Sequence, residues 1–144
     1  MNRIIKIFSC ILLTTLIIFL SVCTKQQQTD SLIATEWEVW SITAPDRIFI
    51  LISPTPYPVK FLKDSTFTIG LDVNTCGGTY SLYNENYIHI NTIYCTEICC
   101  DSVFADTLIN IFRDIHSYKI VGDNLELIAQ NRIINLQNVL DNSN

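Results

Sequence analysis

Basic residues are scarce in this chain: nine Lys and Arg stand against 14 Asp and Glu, for a formal net charge of −5. The few cations are scattered rather than clustered, which excludes a nucleic-acid-binding protein, since a phosphate backbone calls for grouped Lys and Arg. Histidine occurs only twice, as His89 and His116. There is no His-Glu-x-x-His and no serine or cysteine in an elbow sequence, so neither a metalloprotease nor a hydrolase pattern is present. Glycine numbers four, and Gly77-Gly78 lacks the further glycines and lysine of a phosphate-cradling loop. Two adjacent glycines after a strand read instead as a bulge or tight turn. Asp64, Asp72, Asp101 and Asp106 lack the alternate spacing of a calcium loop and read as turn and cap residues. No constellation specifies a reaction, so the sequence reads as a non-enzyme with no cofactor and no metal.

What is present begins with a leader. Arg3 and Lys6 precede an apolar run over residues 7–20, which is short of the roughly 20 residues a membrane-spanning helix needs. That pattern is a signal peptide. Cys10 lies inside the run and reads as one of its apolar residues. Leu20-Ser21-Val22-Cys23 resembles a bacterial lipobox, with Val22 standing where Gly, Ala or Ser is preferred. The resemblance implies that Cys23 is acylated and becomes the first residue of the mature protein. The sequence thus divides into a lipoprotein-type signal peptide (1–22), a polar flexible tether (23–34), one domain (35–137) and a polar disordered tail (138–144). Loss of Arg3 and Lys6 with the leader leaves seven basic residues against 14 acidic ones. An acidic domain has no electrostatic grip on anionic lipid, so the acyl chain must supply the membrane affinity.

Cys76, Cys95, Cys99 and Cys100 are an even number in a short exported chain, which reads as two disulfides with three possible connectivities. A zinc site would want short-spaced Cys-x2-Cys pairs, which are lacking. A redox dithiol would want Cys-x-x-Cys at a helix start, and Glu97 and Asp101 would raise a thiol pKa there. A vicinal Cys99–Cys100 bond would close a small, strained ring.

Along the domain, residues 36–42 alternate as a first strand, with Trp37, Val39 and Ser41 on one side and Trp40 and Ile42 on the other. Residues 48–52 are continuously apolar and predict a strand buried on both faces. Pro54, Pro56 and Pro58 remove three ladder donors, which predicts a loop or an edge over 53–58. Residues 59–62 and 66–73 form a hairpin whose Phe67, Ile69, Leu71 and Val73 share one face, and 78–83 with 87–94 form another. Then the period changes: Phe104, Leu108, Ile111, Phe112 and Ile115 fall at helical spacing over 101–115, with Asp101 as N-cap. Strands follow at 117–121, 125–129 and 132–137. The predicted fold is α+β, a small antiparallel β-barrel or roll of about eight strands with one α-helix packed against it.

This order of signals resembles the META domain, the HslJ-like family of small bacterial envelope and lipoprotein domains. The resemblance rests on Trp37 beginning a strand, Phe61 before a turn, Asn74 with Gly78-Thr79-Tyr80, Thr96 four residues before Cys100, and a closing hairpin with Tyr118, Ile120, Leu125 and Leu127. Val73 stands where the family often has a cysteine before the Asn. The resemblance implies a disulfide from Cys76 to Cys100, which would leave Cys95 with Cys99. It implies no catalytic residues and a general link to envelope stress tolerance. The resulting expectation is a non-catalytic domain, lipid-anchored to a bacterial membrane and facing the periplasm or the outer surface, that binds an envelope protein or surface component. A carrier of one small apolar ligand and a thiol-disulfide oxidoreductase are the alternatives.

Overall fold

A computed structural model describes residue 29, residues 31–84 and residues 86–139. The leader, Cys23, most of the tether and the last five residues lie outside the described residues. The chain divides into two units, Met1–Ser31 and Leu32–Asn144. All that follows concerns the second.

Eight strands run antiparallel in sequence order: β1 (Glu36–Thr43), β2 (Ile50–Phe61), β3 (Thr66–Gly70), β4 (Thr75–Tyr83), β5 (Tyr87–Cys95), β6 (Ser117–Val121), β7 (Asn124–Ile128) and β8 (Ile133–Asn138). β8 pairs back onto β1, with Val39 opposite Leu136 and Ile42 opposite Ile134, and so closes a barrel. Closure leaves neither end strand of so apolar a sheet with an open outer edge, although the first part of β2 has no partner in β3. One helix, α1 (Val103–Arg113), joins β5 to β6. The architecture is the expected eight-stranded antiparallel barrel, and it is dominated by strands rather than evenly α+β.

Period-two burial builds the lumen. Val59, Phe61, Phe67, Ile69, Cys76, Tyr80, Ile88 and Ile90 are buried from β2 to β5, and Leu125, Leu127, Ile134 and Leu136 from β7 and β8. The helix adds Phe104, Ala105, Leu108, Ile109 and Phe112. Phe112 lies 5.1 Å from the Phe67 ring and 6.2 Å from Phe61, while Phe104 stacks on Tyr57 at 5.2 Å. These ring contacts fix the helix on the barrel, since aromatic pairs add to the burial of their area. Trp37 is buried too, and its indole N–H donates to the Leu32 carbonyl at 3.2 Å.

Three expectations are corrected and one is narrowed. A β-bulge between Val39 and Ser41 resets the alternation of β1, so Trp40 points out and Ile42 joins Trp37 and Val39 in the core. Residues 48–52 are not a doubly buried strand: Ile48 is 86% exposed and Ile52 61%. The proline segment is an edge, one of the two forms its missing donors predict, and not a loop: residues 53–58 have no partner in β3. β2 runs through it, while residues 53–56 lie between Ile52, opposite Ser41, and Tyr57, opposite Val39, without partners of their own in β1. Lastly, β3 stops at Gly70, so Val73 is 47% exposed instead of lining the core.

Candidate functional site

The loops between β3 and β4 and between β5 and α1 are bound together by one side chain, the buried amide of Asn74. Its Oδ1 accepts from the Ile98 N–H at 2.8 Å and from the Thr96 hydroxyl at 3.0 Å. Its Nδ2 donates to the Cys99 carbonyl at 2.6 Å and to Asp101 Oδ2 at 2.8 Å. Asp101 Oδ1 in turn accepts from the backbone N–H groups of Val73 (2.9 Å) and Asn74 (3.2 Å), and Thr96 Oγ1 accepts from the Thr75 N–H. An amide carries two donors and an acceptor with two lone pairs, and here each is used. Asn74 and Thr96, 22 positions apart, were both singled out in the sequence, and the fold brings them into direct contact.

Asp101 is therefore committed to this clamp and is not the helix cap. Ser102 is the cap: its hydroxyl accepts from the Ala105 N–H at 3.2 Å. Asp72 accepts from the Ser102 N–H at 2.9 Å and from the Tyr57 hydroxyl at 2.8 Å. Burial raises the Asp101 carboxyl, but the N–H groups of Val73 and Asn74 and the Asn74 amide outweigh it and hold the carboxyl below its ordinary value. The Ser102 N–H and hydroxyl, with the Tyr57 hydroxyl, do the same for Asp72.

The other sequence motifs serve packing. Tyr80 is buried and donates its hydroxyl to the Leu62 carbonyl at 2.8 Å. Gly78 is required by a close approach, since a Cβ there would clash with the Thr92 carbonyl oxygen.

The disulfide expectation is overturned. Cys76 bonds to Cys95, its partner across the β4–β5 ladder, and Cys99 and Cys100 are free and exposed. Strand register decides this: β4 and β5 place Cys76 and Cys95 side by side, whereas Cys100 leaves on the loop toward the helix. The two free thiols lie 2.8 Å apart, Sγ to Sγ. A hydrogen bond from the Cys100 thiol, with its N–H, holds the Cys99 thiol below the usual range, against burial and the Asp101 charge.

On the outer face of β1, β2, β6, β7 and β8 lies a groove of about 490 Å³. Its apolar sides are Trp40, Ile50, Ile52 and Val121, each between 45% and 61% exposed. Asn135 lies in it, donating through Nδ2 to Ser41 Oγ and Thr43 Oγ1, both at 3.1 Å. Arg47 has a positive φ of 58° and reaches Glu126 at 3.1 Å, and Arg132 lies over the Phe49 ring at 5.0 Å. The continuous apolar run of residues 48–52 could not reveal this, because a doubly buried strand and an exposed sticky one read alike. His89 and His116 line one shallow cleft with Tyr83 and Tyr87. Among the described residues, no three His, Cys, Asp or Glu side chains gather as a metal site.

No family model and no curated protein matches the chain. Its likeness is to solved structures. The NMR structure of a protein from Burkholderia xenovorans superposes with a TM-score of 0.63 at 13% identity, over 78% of this chain and 86% of that one. The crystal structure of a DUF4847 family protein from Bacteroides vulgatus does so with a TM-score of 0.57 at 15% identity, over 74% and 93%. At such identities the likeness is one of fold.

Proposed function

We propose that this chain is a non-catalytic, META-like domain of the bacterial cell envelope, lipid-anchored through Cys23, that binds an extended segment of a protein partner in its outer groove. The observation that carries the reading is the row of exposed apolar side chains, Ile50 and Ile52 on β2 beside Trp40 on β1, where the far edge of β2 is free. β3 pairs with β2 only at Val59, Lys60 and Phe61, so residues 50–58 have no partner in β3. An extended segment can add its backbone to such an edge while its side chains fill the groove. An internal carrier fits less well, since Trp37, Tyr57, Phe61, Phe67 and Phe112 occupy the lumen of a barrel this small.

The test is a photo-cross-linking residue at Ile52 in the full chain, expressed in its own membrane. A discrete product is expected, lost on Trp40→Glu, with no such product from a probe at Tyr94. Equal, diffuse labelling from both positions would defeat the reading. Intact mass of the membrane-extracted chain checks the anchor: a mature chain starting at Cys23 with acyl mass added is expected.

A further inference from the structure

The Cys99–Cys100 pair is left unexplained by a groove on the far strands. Both thiols are exposed, they lie 2.8 Å apart, and neither is in the disulfide. Their backbone is fixed on either side. Asn74 holds the Ile98 N–H and the Cys99 carbonyl, and two residues later Asp101 is held by Val73 and Asn74. A loop pinned this way presents its two sulfurs together before any ligand arrives, so little ordering remains to oppose binding.

The spacing selects the ligand. With a metal–sulfur bond of roughly 2.3 Å, an ion taking two thiolates in a line would hold the sulfurs about 4.6 Å apart, too far for this pair. A pyramidal ion with bonds near a right angle needs only about 3.3 Å by the same bond length, within reach of small side-chain rotations. Zinc would want further ligands. Among the described residues no third His, Cys, Asp or Glu side chain gathers with the pair to supply them. We infer that Cys99 and Cys100 form a two-thiol site for a trivalent arsenical. The chemistry is condensation without redox change. An organoarsenic(III) oxide exchanges its As–O bonds for two As–S bonds, the two thiol protons leave with the oxygen as one water, and arsenic stays trivalent. The species is uncharged throughout, so the acidic surroundings of Glu97 and Asp101 do not oppose it.

The experiment treats the full, membrane-extracted chain with phenylarsine oxide and follows intact mass and alkylation. One adduct per chain is expected, protecting Cys99 and Cys100 together, resisting excess monothiol and released by a dithiol. Cys99→Ser and Cys100→Ser should each weaken binding at least tenfold, with the Cys76–Cys95 peptide recovered intact as proof of fold. Unchanged binding in either variant, a wild-type adduct stripped by monothiol, or a wild-type chain with no alkylatable thiol would overturn the assignment.

Discussion

Asn74 shows how much one side chain can hold. It is buried, and removing it leaves the Ile98 N–H, the Cys99 carbonyl and Asp101 without their partner. Orphaned polar groups cost more than the mean hydrogen bond is worth, so Asn74→Ala should lower stability by about 3 kcal/mol. Urea denaturation would measure it; a loss within about 0.5 kcal/mol would mean the clamp is ornamental. Acid should act on the same place. Asp72 and Asp101 titrate lower in the folded chain than the ordinary value near 3.9, so they stabilise above that pH and the contribution is lost as pH falls through their depressed values. Stability should therefore be flat from about pH 7 to pH 5 and fall below about pH 4, and the fall should be shallower in Asp101→Asn. Gly78 has a different role. A Cβ there would meet the Thr92 carbonyl oxygen and lie 2.9 Å from the Phe67 ring, so Gly78→Ala should cost about 3 kcal/mol by forcing β4 and β5 apart.

At the scale of the element, α1 depends on its start. Ser102 caps the Ala105 N–H and its hydroxyl also lies 3.1 Å from that of Tyr57, so Ser102→Ala should remove about 1–2 kcal/mol, whereas Asp101→Ala should loosen the clamp and leave the helix. Helical circular dichroism set beside the denaturation midpoint separates the two. The helix face was legible because Phe104, Leu108 and Phe112 repeat at a period that only one structure satisfies. Its cap was not, because Asp101 and Ser102 are both good caps and only the tertiary partners of Asp101 remove it from contention. The strands β6 to β8 were legible from alternation and from Gly122, whose positive φ makes the turn. β2 was not. Nothing in residues 48–52 says that the β3 neighbour begins only at Val59, and Pro54 and Pro56 did not interrupt the strand because residues 53–56 have no partners in β1. The candidate site divided in the same way: Asn74 and Thr96 were found, while the groove and the Cys76–Cys95 pairing depended on which strands became neighbours.

The whole barrel closes unevenly. β1 and β8 share six paired positions, but β5 and β6 meet at only one, Tyr87 opposite Ser117, because the chain leaves β5 for the helix before returning. Two further backbone bonds, from the Ile88 N–H to the His116 carbonyl and from the Tyr118 N–H to the Asn86 carbonyl, complete the seam. Asn86 Oδ1 is buried beside it with no hydrogen-bond partner among the described residues, a cost that opening would relieve. On the other flank of β5 the Cys76–Cys95 bond ties it to β4 across 19 positions, worth roughly 3 kcal/mol in the chain-entropy model. The barrel should therefore open between β5 and β6 before it opens anywhere else, with β4 and β5 leaving as a bonded pair. Native-state hydrogen exchange tests this directly: the Ile88 and Tyr118 amides should exchange through a smaller opening energy than the β1–β8 amides. Removing the bond with Cys76→Ala and Cys95→Ala together should then lower protection in β4 and β5 and leave the β1–β8 closure as it was. Equal protection at both seams would mean that the helix, through Phe104, Leu108 and Phe112, locks the barrel as one cooperative unit and that the thin pairing is of no consequence.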